Sequence, residues 1–290
     1  MSENARPRRS VLYMPGANER ALEKAKTLPT DALILDLEDA VAPDAKIEAR
    51  ERVCAAAQSG EYRNREVTIR INGIGTRWHD DDLRAAVAAK PAAIVVPKVN
   101  SADEVRQLDA AIAAAGGDDV KLWAMIETPE AIAQVGEIAS ASDRLEVLVM
   151  GTNDLVNELH SVHVPGRAPI LTALSLCVLA ARAAGKDILD GVYNDITNAE
   201  GFLAECEQGR QFGFDGKTLI HPKQLEPCNT AFSPSDKEVE HAKAVIAAFD
   251  EAVAEGKGVA TVNGKLVENL HVADAHRILA LAQAAAAQQA

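Results

Sequence analysis

The stretch Ala32-Leu33-Ile34-Leu35-Asp36-Leu37-Glu38-Asp39 is a short, unbroken apolar run that ends in carboxylates, and an alanine-rich segment at 45–58 follows it. The run is the length of a strand and too continuous for a half-exposed one, which suits a strand covered on both faces. The same alternation recurs along the chain. Further apolar runs stand at 10–15, 66–71, 93–97, 122–126, 146–150, 187–192 and 217–221. Between them lie stretches at 17–28, 80–89, 102–115, 129–139, 169–184 and 199–212 in which alanine and leucine favour helix. Pro129 and Pro169 sit well as first-turn residues.

Eight such units match the count of a closed (β/α)8 TIM barrel, an α/β fold. An open doubly wound sheet is the competing arrangement, but units of similar length with no Gly/Ser-rich break favour closure. We therefore expect residues 1–233 to form the barrel domain. Residues 234–290 form a C-terminal helical extension packing on the barrel or on a neighbouring subunit, with helices at 234–254 and 270–287 and a turn region at 256–264.

At 290 residues the chain is ample for a buried core, and its 48% hydrophobic and 25% charged content is ordinary for a globular protein. The 30 basic and 43 acidic side chains leave a net charge of −13, which opposes nucleic-acid or anionic-membrane partners. No apolar run suggests a membrane span, and the start lacks a signal peptide's apolar centre. The four cysteines, Cys54, Cys177, Cys206 and Cys228, form no CxxC pair and read as reduced thiols of a cytoplasmic protein.

Active sites of such barrels are built at the C-terminal ends of the strands. Those ends here carry Asp36-Leu37-Glu38-Asp39, Arg70-Ile71-Asn72, Pro97-Lys98, Glu127-Thr128, Gly151-Thr152-Asn153-Asp154, Asn194-Asp195 and His221-Pro222. Converging carboxylates disfavour one another's ionisation unless a cation compensates them. A hard divalent ion with oxygen ligands is the economical solution, and Mg2+ needs only one or two carboxylates beside water and substrate oxygens. Glu127 and Asp154 end adjacent strands and are the best pair of ligands, with Glu38 and Asp39 acting on metal-bound water. No His- or Cys-rich constellation supports zinc.

Structural readings stand beside these. Asp154 and Glu127 could serve the helices that follow them, Asp36 could be a buried partner of an arginine, and His221 could be a hydrogen-bonded structural histidine. Arg70, inside an apolar strand, must end in a polar cavity, where its planar fork matches a substrate carboxylate. Lys98 reads as structural or anion-contacting. Arg6, Arg8 and Arg9, with Lys46 and Arg50, could meet phosphate, although surface cations are this common; of these only Arg9 stands as a candidate substrate contact.

At these residues the sequence resembles the citrate lyase β-subunit-like branch of the HpcH/HpaI aldolase family. The matching stretches are Arg9-Ser10-Val11-Leu12-Tyr13-Met14-Pro15-Gly16, Leu33-Ile34-Leu35-Asp36-Leu37-Glu38-Asp39-Ala40-Val41, Arg70-Ile71-Asn72-Gly73, Val96-Pro97-Lys98, Met125-Ile126-Glu127-Thr128, Gly151-Thr152-Asn153-Asp154-Leu155 and Gly213-Phe214-Asp215-Gly216-Lys217, running on to Ile220-His221-Pro222. They occur in order over about residues 8 to 280.

The resemblance implies a magnesium-dependent carbon–carbon lyase. It would cleave a 3-hydroxy-dicarboxyl-CoA thioester of the malyl-CoA, citramalyl-CoA or citryl-CoA type to an acyl-CoA and a 2-oxo acid. It further implies Glu127 and Asp154 as metal ligands, Arg70 as a catalytic and substrate-binding arginine, and Glu127 as lying against the substrate. A thioesterase acting on malyl-CoA, or a citrate lyase β subunit dependent on an acyl-carrier partner, are the other outcomes it allows. The family's final acid is an aspartate supplied across a subunit interface. Here Glu268, in Gly264-Lys265-Leu266-Val267-Glu268-Asn269-Leu270, stands in its place. A homotrimer or homohexamer is the assembly the resemblance implies.

Overall fold

The structure, a computed structural model, describes residues 6–289. Eight parallel strands close on themselves in sequence order: β1 (Ser10–Pro15), β2 (Ala32–Asp36), β3 (Glu66–Arg70), β4 (Ala93–Val96), β5 (Lys121–Ile126), β6 (Leu145–Met150), β7 (Asp187–Asp190) and β8 (Gly216–Leu219). The ring is sealed by β1 against β8, with Val11 beside Thr218. The open-sheet alternative is thereby excluded. Side chains alternate about each strand, so two apolar layers form. Val11, Ile34, Val95, Trp123, Val149 and Leu189 fill the interior, while Leu33, Leu35, Ile69, Ile94 and Leu148 face the surrounding helices. Coverage of both faces explains why the strands read as continuous apolar runs.

The end of the barrel where the strands begin is plugged by charge. Arg8 inserts beneath the Trp123 ring at 5.3 Å and binds Glu66 at 2.7 Å and Asp187 at 2.6 Å. Arg9 turns the other way and grips Asp31, its Nε and Nη2 donating to the two carboxylate oxygens at 2.8 and 2.7 Å. Both arginines are buried, not surface cations.

Helices punctuate the barrel where the sequence supplies caps. Asn18, Ser101, Thr128 and Asn198 each accept a backbone N–H of the helix they precede. The stretch at 129–139 is two short helices, Pro129–Ala133 and Val135–Ala139, and not one. A helix the apolar pattern did not reveal, Thr152–Glu158, follows β6 directly. The segment Pro165–Ala183 is long and apolar enough by count alone to span a membrane, 44% of its most apolar window being buried inside the structure. It is broken by left-handed backbone at Gly166 and Arg167, and Leu174, Cys177 and Ala181 of its second part are core residues. All four cysteines are free thiols.

The chain divides into two compact units, one spanning Arg8–Phe232 and the other taking in the chain from Ser233 on. Within the second, helices Asp236–Ala254 and Asn269–Gln289 enclose Val245, Phe249, Val262, Val267 and Ala275. The first of these helices opens with a capping box in which Ser235 and Glu238 satisfy each other's backbone N–H. The region at 256–264 is more than a turn. β9 (Ala260–Val262) pairs antiparallel with β10 (Lys265–Val267) about Asn263-Gly264, both at positive φ (50° and 76°). Asn-Gly is the pair that such a tight hairpin turn requires.

Candidate active site

Asp36, the last residue of β2, points inward and organises one wall of the barrel's C-terminal mouth. Its Oδ1 and Oδ2 accept the backbone N–H groups of Glu38 and Ala40, which folds the loop carrying Glu38 and Asp39 over the strand. The same oxygens accept Nε and Nη2 of Arg70 at 2.7 Å each, across the β2–β3 pair. Asp36 is therefore the buried arginine partner that one reading of the sequence anticipated. The pairing holds Arg70 through one edge of its guanidinium, Nε and Nη2, and leaves the other edge for further contacts. On that edge, Nη1 lies 2.8 Å from Glu38 Oε2 and 3.7 Å from Asp39 Oδ2. The guanidinium also lies over the Tyr13 ring at 4.8 Å, and Nη1 touches Met125 Sδ at 3.8 Å. Arg70 is thus a fixed charge, clamped from the side and from the ring face.

Glu127 follows β5 and is 2% exposed. Its Oε1 accepts the backbone N–H of Lys98 at 2.8 Å. Its fit depends on Gly151, since a Cβ at that position would stand 2.1 Å from Glu127 Oε2. Asp154 lies in the first turn of helix Thr152–Glu158, half-buried, with Lys98 Nζ 3.1 Å from its Oδ1. The helix follows Gly151 without a side-chain cap, so Asp154 serves it as a first-turn acid and not as its cap. Thr128, not Glu127, caps the helix after β5.

Electrostatics join these groups. Burial first, then repulsion from Asp154 and Glu38, lifts Glu127 to about 8. Burial lifts Glu38 to about 7 against the pull of Arg70, with Asp39, Asp36 and Asp154 pushing the same way as burial. Glu127 and Glu38 thus both feel the negative charge of Asp154, which adds to the effect of their burial. Among the described residues no group of three or more His, Cys, Asp or Glu side chains forms a protein-only metal cage. Two carboxylates of hard oxygen, one seated in the space a glycine leaves, fit magnesium, which keeps water and substrate in its remaining positions. Glu127 and Asp154 are the residues that would hold it.

Other expected residues lie elsewhere. Arg9 precedes β1 and is locked to Asp31 at the end of the barrel opposite Glu127, so it is a structural ion pair and not a substrate contact. Lys46 is buried, donating to the carbonyls of Leu37 and Glu38 and to Asn72 Oδ1 at 2.8, 2.7 and 2.6 Å. Arg50 binds Asp82 at 2.6 Å. Both cations hold loops and neither is free for phosphate. His221 accepts the backbone N–H of Lys223 and is a capping residue. Asp39 is largely exposed at the rim, and Glu268 belongs to the C-terminal unit, where its backbone N–H donates to His271 Nδ1 at 3.0 Å. The sequence reading missed the seat that Gly151 leaves for Glu127 and the Tyr13 ring against Arg70. Inward alternation along β1 could have signalled Tyr13; nothing in the sequence signals the Gly151 contact.

The family model for HpcH/HpaI aldolase/citrate lyase matches residues 9–222. The chain is 51% identical over 290 residues, all of both chains, to a (3S)-malyl-CoA thioesterase of Cereibacter sphaeroides. It is 37% identical to the citrate lyase subunit beta of Escherichia coli, covering 96% of this chain and 94% of that one. CitE from Mycobacterium tuberculosis, solved in complex with magnesium, acetoacetate and coenzyme A, superposes with a TM-score of 0.78 at 28% identity, covering 97% of this chain and 99% of that one. A closed barrel whose mouth gathers Glu38, Arg70, Glu127 and Asp154, matched by a family model across most of its length, makes this chain a member of the HpcH/HpaI aldolase/citrate lyase family.

Proposed function

We propose that the protein is a magnesium-dependent enzyme acting on 3-hydroxy-dicarboxyl-CoA thioesters of the malyl type, with hydrolysis of the thioester as its net reaction. The observation that carries this reading is the contact of Glu38, a carboxylate raised to about 7, with the clamped charge of Arg70 beside the Glu127–Asp154 pair. The full-length identity of 51% to malyl-CoA thioesterases supports the choice of bond.

Bound magnesium would supply a hard positive charge for the hydroxyl and carboxylate oxygens of the substrate. The protein's own residues do the rest. A base with a pKa near neutrality exists in useful amounts of its proton-accepting form at physiological pH. Glu38 fits that role, taking the proton of the water that adds to the thioester carbonyl. Arg70 is already oriented by Asp36, so its charge faces the developing oxyanion with no reorganisation, the condition under which such stabilisation is strongest. Breakage of the C–S bond then releases coenzyme A and the free hydroxy acid.

Carbon–carbon cleavage is the second reading, favoured by the 37% identity to a citrate lyase subunit. The same contacts serve it. Loss of the hydroxyl proton drives cleavage to a 2-oxo acid and a thioester enolate, and Glu268 of a neighbouring subunit in a homotrimer or homohexamer protonates the enolate. Incubation of the purified protein with malyl-CoA and citramalyl-CoA distinguishes the readings. Free CoA with the hydroxy acid supports hydrolysis, and glyoxylate or pyruvate with an acyl-CoA supports the lyase. Inertness until an acyl-carrier protein is added supports a dependent subunit. In any of these, Asp154→Ala abolishes metal-dependent turnover while the barrel stays folded; full turnover by that variant in chelator refutes the metal assignment.

A further inference from the structure

Lys98 contacts both candidate metal ligands, and the chemistry above does not use it. It follows β4 with φ at +50°, a conformation that glycine adopts freely and a residue with a side chain only under constraint. The turn aims its backbone N–H at Glu127 Oε1, 2.8 Å away. Its ammonium reaches across to Asp154 Oδ1 at 3.1 Å, and the side chain is 49% exposed. Glu158, one helical turn beyond Asp154, also attracts it. The backbone conformation does not need the ammonium, so the ammonium's contact with Asp154 is separate from the turn. Arg70 cannot substitute for it, being held on Asp36 and Glu38.

We propose that Lys98 is a positioning residue whose ammonium serves as the resident counter-cation of Asp154 in the metal-free protein, so that a divalent ion binds by displacing it. The inference rests on the reading of Glu127 and Asp154 as metal ligands. In the metal-free protein Lys98 offsets the mutual repulsion of Glu127, Asp154 and Glu38 and keeps two of them where an ion will need them. When the ion arrives, a partly exposed, flexible side chain can swing toward Glu158, whereas a buried arginine could not. Lys98 thereby lowers the affinity for metal and keeps the ion exchangeable.

The test is Mn2+ binding to full-length, chelator-treated protein, read from the electron paramagnetic resonance signal of free Mn2+. Lys98→Met removes the ammonium and keeps the backbone constraint; Lys98→Gly removes both; Lys98→Arg keeps the charge. Loss of one partly exposed charge pair is expected to tighten Mn2+ binding about fivefold in both Lys98→Met and Lys98→Gly, with Lys98→Arg within about twofold of wild type. A lysine that merely braces the loop predicts the opposite sign. Unchanged or weaker binding in Lys98→Met and Lys98→Gly overturns the proposal. Asp154→Ala separates this outcome from failure of the metal reading. If Asp154→Ala loses Mn2+ while the lysine variants fail to tighten, only the counter-cation role falls. If Asp154→Ala binds Mn2+ like wild type, both fall.

Discussion

Gly151→Ala adds one methyl group at a backbone position that alanine can adopt, since φ is −96°, yet we expect it to disable the enzyme. The new Cβ would stand 2.1 Å from Glu127 Oε2, 2.4 Å from its Cβ and 2.9 Å from its Cδ. Ordinary contact begins near 3.4 Å, so the carboxylate must retreat by more than an ångström. The close approach to Glu127 Cβ means that rotation of the carboxylate alone cannot relieve the clash. Glu127 is buried and bonded to Lys98, so the strand end itself must shift. Displacement on that scale at a reacting centre costs on the order of 100-fold in kcat/KM. Overpacking costs about 1–3 kcal/mol of stability. Thiol release from malyl-CoA, monitored with a chromogenic disulfide, gives the first quantity, and denaturant unfolding gives the second. Gly136→Ala is the control, because its added Cβ meets nothing within 4 Å and alanine favours the helix. Wild-type kcat/KM in Gly151→Ala would refute the assignment of Glu127 as a spatially constrained ligand.

Asp36→Ala strands the buried Arg70 charge, and loss of one partner of such a pair costs about 3–5 kcal/mol, measurable by chemical denaturation. Turnover falls with it, and unchanged stability would show that Asp36 does not hold Arg70. Arg9→Met lowers the thermal midpoint but leaves kcat and KM for the thioester as in wild type, because Arg9 serves Asp31 at the far end of the barrel. A raised KM alone would restore it as a substrate contact. Asp190 is buried, which by itself would raise its pKa, but Lys217 and Arg167 outweigh burial and hold it below the ordinary value of 3.8. A depressed carboxylate stabilises the fold above its unfolded pKa and loses that contribution as pH falls through the folded value. The acid limb of the stability profile, below about pH 4, therefore flattens in Asp190→Asn; a limb of unchanged steepness would argue against this pair.

Much of the barrel was legible because strands buried on both faces leave continuous apolar runs, as at Ile94, Val95 and Val96 of β4. Helix Thr152–Glu158 escaped because it is short and follows β6 through a glycine, with no polar cap or apolar period to announce it. The hairpin at Asn263-Gly264 escaped because its strands are three residues each, too short to alternate visibly. At the site, identities were legible and partnerships were not. Asp36 and Arg70 lie 34 positions apart, and only the β2–β3 register brings them side by side. Arg9 differs: it stands just before the first strand, so the parallel barrel already placed it at the end away from the mouth, and only its partner Asp31 was hidden.

The cluster of Arg8, Glu66 and Asp187 beneath Trp123 closes the far end of a barrel whose interior is already filled by side chains, so nothing crosses it from end to end. Whatever reaches Glu38 and Asp154 therefore arrives over the rim of the mouth and leaves by the same side. The closed floor leaves the site one face on which to exchange with solvent.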